Sequence, residues 1–378
     1  MIPLSIPQLA GNEWTYVKEC LDTGWVSSAG KFVGLFEERI AEYTGSAHAI
    51  ACMNGTAALH VSQLLLGVGP GDLVLAPNIT FVATLNAIAY TGAEAILLDV
   101  DPANWQLDLT ILARFLAEEC ELDGNANLVH RLDGKRVKAV MPVHVLGNLC
   151  DMDLLLAICS EYSLPIIEDS TEALGSTYKG RHAGTFGNLG TSSFNGNKIM
   201  TTGGGGMMFT QDADLAAHAK HLTTTAKTDP LDYFHDETGY NYRLVNVLAA
   251  MGVAQLEQLP GFLAAKKKMD AFYRRELTGV GDITFQEITP GVDPNCWLFT
   301  FRTTRMRELL TYLNANGVQS RPFWTPMNQL PMYAGFRYYN KEDNSSKLHA
   351  EAISIPSSCG ITEAEMAEVV TKIKLFYA

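Results

Sequence analysis

The chain has 378 residues, 47% of them apolar and 18% charged, a composition that predicts a folded protein of about two domains with a large core. It carries 28 Lys and Arg against 41 Asp and Glu, a formal net charge of −13, and its longest basic run is Lys266-Lys267-Lys268. This charge balance predicts no binding to nucleic acid and none to an anionic membrane surface.

The seven cysteines are scattered, odd in number and without the spacing of metal ligands, so we expect reduced and mostly buried thiols. Residues 1–5 lack the basic and then apolar pattern of a signal peptide. No run reaches about eighteen apolar residues, the length that a membrane span needs. These features predict a cytoplasmic protein.

The chain begins with two predicted helices, at 12–23 with Asn12 as the cap and at about 31–43, joined by a small polar loop around Trp25. From residue 48, short apolar strands alternate with helices: strands at 49–53, 73–76, 96–100, 137–143 and 165–168, and helices at 55–66, 81–90, 107–119 and 151–162. The alternation predicts an α/β fold with a mostly parallel sheet covered on both faces. Ligands of such sheets bind at the carboxyl ends of the strands.

Two further strands, at 189–194 and 206–210, enclose a glycine-rich loop, and the segment 222–243 is predicted to be polar, irregular and too long for a passive connection. Helices at 245–259 and 260–278 follow. The remainder predicts a smaller α+β unit, with strands near 283–287 and 297–302, a helix at 304–316, a Pro-rich stretch at 322–332 and a last helix from 362. We therefore expect a large domain at 1–255 and a small domain at 256–378.

Lys198 lies in the glycine-rich loop, five residues after Ser193 and shortly before the run from Gly203 to Gly206. Most lysines are solvated surface charges, but one held between two buried strands must be neutralised, paired or used covalently. An amine that such a site drives toward neutrality attacks carbonyl carbon, as a Schiff-base lysine does. The glycines fit either a tight turn with positive φ or the close approach of a cofactor.

Other candidate site residues also follow predicted strands. Gly55 and Thr56 open a helix, where free N–H groups and the helix dipole attract an anion, although an ordinary capped helix has the same pattern. Asp169 fits either the partner of a protonated ring nitrogen or a helix cap. Phe81 fits either a ring-stacking side chain or a core residue. Together with Lys198, these are the components of a pyridoxal 5′-phosphate (PLP) site.

These motifs resemble those of the sugar aminotransferases of the DegT/DnrJ/EryC/StrS family, which are fold-type I PLP enzymes with a seven-stranded sheet in the large domain. The resemblance covers essentially the whole chain. It is carried by stretches that occur in order, at 54–60, 80–84, 142–147, 168–175, 193–198, 203–206 and 239–243.

By this resemblance, Lys198 and Asp169 are the catalytic residues, the first bonded to the cofactor and the second paired with its ring nitrogen. The other cofactor-binding residues are expected to be Phe81 on the ring, Gly55, Thr56 and Ser193 on the phosphate, Glu172 beside the 3′-hydroxyl, and Asn241 on the phosphate across a dimer interface. The family often has Gln or His where this chain has Glu172. The expected substrate-binding residues are Trp25, Ser27, Ser28, Asn197 and Arg243.

Within the family, residues 4–7, 24–30 and 194–199 resemble the aminotransferases of the legionaminic-acid and bacillosamine pathways. The resemblance implies transfer of an amino group from glutamate to C4 of a nucleotide-linked 4-keto-6-deoxy sugar, with a UDP-linked 2-acetamido sugar favoured, for surface-glycan or nonulosonic-acid biosynthesis. The alternatives are a sugar 3-aminotransferase, a dehydratase and a non-catalytic regulator. Lys198 disfavours the dehydratase, in which a histidine replaces the lysine.

Residues 222–243 are predicted to cross to a second subunit and to complete its phosphate site. The expected assembly is a homodimer with shared active sites. A surface loop that closes over its own site is the alternative.

Overall fold

The computed structural model describes residues 1–229 and 231–378. Within them, the α-helices are α1 (Glu13–Thr23), α2 (Lys31–Thr44), α3 (Gly55–Leu65), α4 (Ala83–Tyr90), α5 (Leu109–Glu119), α6 (Met152–Glu161), α7 (Ala213–Thr223), α8 (Asn246–Leu277), α9 (Met306–Ala315), α10 (Asn344–Glu351) and α11 (Glu363–Tyr377).

The strands of the same residues are β1 (His48–Cys52), β2 (Asp72–Pro77), β3 (Glu94–Leu98), β4 (Cys120–Leu122), β5 (Leu128–His130), β6 (Arg136–Val140), β7 (Ile167–Asp169), β8 (Thr177–Tyr178), β9 (Arg181–His182), β10 (Leu189–Ser193), β11 (Gly206–Thr210), β12 (Lys227–Asp229), β13 (Phe234–His235), β14 (Thr284–Phe285), β15 (Val292–Asp293), β16 (Thr300–Arg302), β17 (Arg321–Pro322), β18 (Arg337–Tyr339) and β19 (Ala352–Ser354). The predicted alternation of strands and helices from residue 48 is confirmed.

A seven-stranded sheet in the order β1-β11-β10-β7-β6-β2-β3 forms the centre of the large domain. β7 joins β6 through the parallel bridges Val140–Ile166 and Val143–Asp169. Among these seven described strands, β11 alone runs in the opposite direction to the other six. The predicted α/β fold with a mostly parallel seven-stranded sheet is therefore confirmed.

The carboxyl ends of the parallel strands meet at one edge of this sheet. β1 leads into α3, β2 leads toward Phe81, β7 ends at Asp169, and β10 leads into the loop of Lys198. These residues are far apart in the sequence, and the strand order alone brings them to the same edge, as expected for ligand sites of open α/β sheets.

α8 is one helix of 32 residues, although the sequence predicts two helices that meet at Pro260. A proline inside a helix removes one hydrogen bond and costs about 3 kcal/mol. Packing on both sides offsets this cost, because Leu259 and Phe262 are buried in the large-domain core and Met269 and Tyr273 in the small-domain core. By length and composition α8 could cross a membrane, but 44% of its apolar window is buried inside the protein.

The small domain packs an antiparallel sheet, in the order β14-β16-β19-β17, against α9 and α11. The proposed boundary at 255–256 lies inside α8. Two segments pack across it: Ile2 lies in the small-domain core, and β18 extends the large sheet beside β3. The chain therefore passes between the domains at its beginning, along α8 and around β18.

Two local predictions are wrong in part. Asn12 lies at the N-cap position of α1 as predicted, but its side chain makes no capping bond and donates instead to Glu257 on α8 at 2.9 Å, because the packing of α1 on α8 offers a charged acceptor. Residues 222–243, predicted as irregular, include the hairpin of β12 and β13. The prediction for the cysteines is confirmed: all seven are free thiols, five of them buried and two half-buried.

Candidate active site

A cavity of about 650 Å³ opens at the carboxyl edge of the sheet, between the two domains. The large domain contributes the start of α3, Phe81 and the Lys198 loop, and the small domain contributes Trp297, residues 321–325 and His349. The structure thus brings six of the predicted site residues to one cavity wall: Gly55, Thr56, Phe81, Ser193, Asn197 and Lys198.

The start of α3 forms what we call the phosphate cradle, made of Gly55, Thr56 and Ser193. The Asn54 side chain caps the helix by accepting from the N–H of Ala57 at 2.8 Å, which leaves the N–H groups of Gly55 and Thr56 without a partner inside the helix. A Cβ on Gly55 would lie 2.9 Å from the Cβ of Ser193, so this close contact requires glycine. The N–H groups, the helix dipole and the two hydroxyls fit a phosphate.

The run of four glycines contains a tight turn and a close approach of two backbone segments. Gly203 has a φ of +82°, as a tight turn requires. A Cβ on Gly206 would lie 2.4 Å from the carbonyl oxygen of Asn54. The strand that leaves the loop can therefore lie this close to the cradle only because residue 206 is a glycine. Gly204 and Gly205 line the cavity itself.

Lys198 lies half-buried on the cavity wall, with its Nζ 4.1 Å from the centroid of the Trp297 ring, a cation–π contact. The indole N–H of Trp297 donates to the carbonyl oxygen of Asn197 at 2.7 Å, which fixes the ring beside the lysine. Burial lowers the pKa of Lys198, although Glu172 and Asp169 oppose the shift. More of the amine is therefore neutral, the form that attacks a carbonyl carbon.

Asp169 is 2% exposed and lies beside Thr171, which lines the cavity. Its Oδ2 accepts from the Thr84 hydroxyl at 2.7 Å, and its Oδ1 accepts from the Thr171 hydroxyl at 2.7 Å. Two hydroxyl donors from different elements hold the carboxylate in one orientation. A buried negative charge fixed in this way fits a protonated ring nitrogen.

The neighbouring residue of β7, Glu168, pairs with His144, and both side chains are fully buried. His144 Nε2 lies 2.8 Å from Glu168 Oε2, and three backbone N–H groups of residues 184–187 donate to the same carboxylate. Burial alone would raise the pKa of Glu168, but these bonds, led by that of His144, lower it. The pair anchors the end of β7 that carries Asp169.

Glu172 is buried, and its Oε2 accepts from the N–H of Leu146 at 2.8 Å. Leu146 has a φ of +60°, a costly backbone conformation for a leucine, and it also lines the cavity. Burial raises the pKa of Glu172 to about 7, against the opposing effects of Lys198 and of the Leu146 N–H. At neutral pH the carboxyl group is therefore partly protonated.

The raised pKa of Glu172 predicts a stability that falls as the pH rises. The carboxyl group titrates near 4.5 in the unfolded chain and near 7 in the folded one, so the stability present below pH 4.5 is lost as the pH passes through 7. Glu172→Gln retains an acceptor for Leu146 but cannot ionise. We expect the variant to match the wild type below about pH 4.5 and to be more stable by about 3 kcal/mol above about pH 8. Urea unfolding of cofactor-free protein across this range measures the difference, and a difference independent of pH would contradict the assignment.

Four predicted residues are exposed and do not line the cavity of a single chain. Trp25, Ser27 and Ser28 are exposed in the loop after α1, where the Nδ2 of Asn246 donates to the carbonyl oxygen of Trp25 at 2.7 Å. Asn241 is exposed as well. Within one chain, the structure does not bring these residues to the site.

Arg243, predicted to bind substrate, is engaged elsewhere. Its Nη2 donates to Oε2 of Glu37 on α2 at 2.9 Å, and its Nη1 contacts the other oxygen of the same carboxylate. Both side chains are largely buried. The bidentate pair joins the segment before α8 to α2, and this occupies the guanidinium that the prediction assigned to the substrate.

The sequence analysis missed the small-domain wall of the cavity, which consists of Trp297, Arg321, Phe323, Trp324 and His349. The sequence predicts only a Pro-rich stretch at 322–332 here, and Arg321 lies just before it. The combination of one cation with two adjacent aromatic rings at 321–324 was the available signal, since exposed aromatic and arginine side chains mark binding surfaces.

Comparison with known proteins agrees with this geometry. The DegT/DnrJ/EryC1/StrS aminotransferase family matches residues 7–374. The chain is 37% identical to GDP-perosamine synthase of Caulobacter vibrioides, over 98% of this chain and 97% of that protein. It is 31% identical to UDP-2-acetamido-2-deoxy-3-oxo-D-glucuronate aminotransferase of Pseudomonas aeruginosa, over 85% and 87% of the two chains.

Two solved structures have the same fold. The DegT/DnrJ/EryC1/StrS aminotransferase of Brucella abortus superposes with a TM-score of 0.90 at 26% identity, over 97% of this chain and 95% of that one. DesV of S. venezuelae, crystallised with a ketimine intermediate, superposes with a TM-score of 0.87 at 26% identity, over 97% and 94%. The fold-type I prediction and the prediction of a PLP-dependent sugar aminotransferase are confirmed. The chain belongs to the DegT/DnrJ/EryC1/StrS aminotransferase family.

Proposed function

We propose that the protein transfers the amino group of glutamate to C4 of a nucleotide-linked 4-keto-6-deoxy sugar, in the cytoplasm, for surface-glycan or nonulosonic-acid biosynthesis. The observation that carries the proposal is the position of Lys198, on the cavity wall between the phosphate cradle and Trp297 and close enough to Glu172 and Asp169 for their charges to affect its pKa.

The nucleotide of the substrate is either UDP or GDP. The resemblance of residues 4–7, 24–30 and 194–199 to legionaminic-acid and bacillosamine enzymes supports a UDP-linked 2-acetamido sugar. The GDP-perosamine synthases among the relatives support a GDP-linked sugar. The Pseudomonas aeruginosa relative, named for a 3-oxo substrate, supports C3 as the alternative position.

The residues present fit PLP, which supplies an electron sink for bonds that break at carbon. The cradle offers donors for a phosphate, and Phe81, 53% exposed on the cavity wall, offers a face for a flat ring. Asp169 holds a proton on the ring nitrogen through a charge-assisted bond. Lys198 supplies the amine for the aldehyde carbon.

Lys198 has a second role once its amine is free. With the cofactor bound, it would move a proton between the α-carbon of the amino substrate and the cofactor's aldehyde-derived carbon. A lowered pKa suits this task, because a proton carrier works best when its pKa is near the working pH. The Trp297 ring holds the free amine at the cavity wall. An intact Lys198 also disfavours the dehydratase and the non-catalytic regulator.

A two-stage transamination tests this function. Holoenzyme is first mixed with glutamate alone, and we expect 2-oxoglutarate together with a shift in the absorbance of the bound cofactor. The product is then desalted and offered UDP- and GDP-linked 4-keto-6-deoxy sugars separately, with the amino sugar identified by mass and the aminated carbon located by NMR. Failure to form 2-oxoglutarate would refute the proposed class, and amination at C3 would replace the proposed position.

We further propose that the functional unit is a symmetric homodimer in which residues 222–243 complete the partner's phosphate site. Exposed apolar side chains support an interface: Trp14 and Leu21 lie two turns apart on one face of α1, and Trp25 follows in the next loop. Asn241 is exposed next to the stacked rings of Tyr240 and Tyr242, whose centroids lie 5.1 Å apart. Stacked aromatic rings are not typical of a loop that lies free in solvent, so they support an interface at this segment.

If the two subunits share their active sites, a mixed dimer of two different inactive variants should be active. Lys198→Ala and Asn241→Ala chains carrying different tags are mixed, and the doubly tagged dimers are purified. Each mixed dimer has one intact site, so we expect about half of the wild-type activity per dimer. The control pairs Lys198→Ala with the double variant, which has no intact site. If Asn241→Ala alone is inactive and verified mixed dimers stay inactive, each chain builds its own site.

A further inference from the structure

The charge of the cavity wall contrasts with that of the protein. The chain has a net charge of −13, yet the described residues that line the cavity include Lys198 and Arg321 and no Asp or Glu. Lys198 and the phosphate cradle account for the cofactor. Arg321 is a second cation, on the small-domain side of the cavity, and the cofactor does not account for it.

Arg321 lies on β17 and pairs with Ser354 of β19, so its backbone is fixed in the small-domain sheet. Its side chain makes one hydrogen bond within the described residues, from Nη1 to the carbonyl oxygen of Ser320 at 2.9 Å. The other N–H groups of the guanidinium remain available to a ligand. A planar fork of this kind matches the paired oxygens of phosphate groups.

His349 lines the cavity beside these residues, and its ring is held in one orientation. Its Nδ1 lies 3.0 Å from the carbonyl oxygen of Phe323, so Nδ1 carries the proton and Nε2 is the acceptor. Arg307 Nη2 lies 3.4 Å from that Nε2. His349 is thus held by the backbone of Phe323 on one side and by Arg307, which does not itself line the cavity, on the other.

Two aromatic rings lie next to Arg321 on the cavity wall. Trp324 is half-buried, and its ring centroid lies 4.6 Å from that of Phe323. A nucleobase stacks on aromatic faces with about 1–3 kcal/mol per base. The carboxylate of an amino acid such as glutamate would bind an arginine, but glutamate has no flat ring that stacks on aromatic side chains. The combination of a cation with aromatic rings therefore favours a nucleotide over glutamate.

We propose that Arg321, with His349 and Trp324 beside it, forms the subsite for the diphosphate of the nucleotide-linked substrate, with the base toward Trp324. This inference rests on the proposed function, since it concerns the same cavity. It assigns the two cations of the wall to different anions: Lys198 with the cradle serves the cofactor, and Arg321 serves the substrate.

The test measures the binding of GDP and UDP, without any sugar, to the holoenzyme by titration calorimetry. We expect Arg321→Gln to weaken the binding of the preferred nucleotide by about 10- to 100-fold, the usual worth of hydrogen bonds to a charged group. Arg321→Lys keeps the charge without the fork and should lose less. The matched control is Lys347→Gln, which removes one positive charge from an exposed ion pair on α10, two residues before His349. It should change the affinity by less than about twofold.

The glutamate half-reaction separates this inference from the proposed function. We expect Arg321→Gln to form 2-oxoglutarate from glutamate at the wild-type rate, which also shows that the variant is folded and loaded. The proposed subsite is refuted if Arg321→Gln binds the nucleotide with wild-type affinity. It is also refuted if the variant loses the glutamate reaction while its nucleotide affinity stays unchanged. Should Arg321→Gln not fold, unchanged nucleotide binding by Arg321→Lys overturns the proposal. A wild type that fails to react with glutamate would refute the proposed function instead.

Discussion

Lys198→Ala is expected to abolish amination of the keto sugar and to leave the fold intact. The variant loses both the amine that bonds to the cofactor and the group that carries the proton, so the rate should fall by at least about 10⁴-fold, the upper end of the effect of one positioned acid–base group. The fold should survive, because Lys198 is half-buried and its described contact is the face of Trp297. Initial rates and thermal unfolding measure the two effects.

A second measurement locates the covalent bond. Borohydride reduction of the holoenzyme, followed by digestion and mass spectrometry, should place the cofactor on Lys198 in the wild type and on no lysine in the variant. Lys267→Ala is the matched control, because this exposed lysine pairs with Asp293, does not line the cavity and should keep full activity. Wild-type turnover by Lys198→Ala would disprove the central assignment.

The large-domain half of the site was predictable because its residues follow strands of a regular sheet. An apolar run, then a small polar motif, then a helix is a local pattern, and the parallel arrangement places each motif at the same edge. Gly55, Thr56, Phe81, Ser193 and Lys198 were found in this way, and they line one cavity. Asp169 lies beside them, held by two threonines.

The small-domain half depends on tertiary packing, which no local pattern reveals. Trp297 meets Lys198 about a hundred residues away because the indole N–H finds the carbonyl oxygen of Asn197. Its own carbonyl oxygen accepts from Nζ of Lys266, a fully buried lysine on α8, at 2.6 Å. From the sequence alone Lys266 would be placed on the surface, because it belongs to a run of three consecutive lysines, which is typical of a solvated face.

Tertiary packing also explains two other differences between the predictions and the structure. α8 continues through Pro260 because apolar side chains on both sides are buried in different cores, which outweighs the local penalty. Arg243 follows a motif of the family, but the direction of its side chain is set by Glu37, a residue some two hundred positions earlier. Motif matching identified the segment but could not assign the contact of its guanidinium.

Asp169→Asn is expected to reduce turnover by at least about 100-fold, the lower end of the contribution of one proton-transfer partner. The amide keeps the size of the side chain but removes the negative charge that holds a proton on the ring nitrogen. Without that proton the ring withdraws electrons less strongly, so breaking the bond at the α-carbon becomes slower. Single-turnover conversion of glutamate measures this step directly.

Binding of the cofactor should change much less than the rate. The phosphate cradle and Lys198 are untouched by Asp169→Asn. Thr171 can still donate to the amide oxygen at the Oδ1 position, and Thr84 can rotate its hydroxyl to accept from the amide nitrogen at the Oδ2 position. We expect the variant to keep its cofactor through desalting, as judged from absorbance. Asp153→Asn, at an exposed carboxylate on α6, is the matched control and should keep the wild-type rate. If Asp169→Asn turned over glutamate as fast as this control, the carboxylate of Asp169 would not lie against the ring nitrogen, and its bonds to Thr84 and Thr171 would be purely structural.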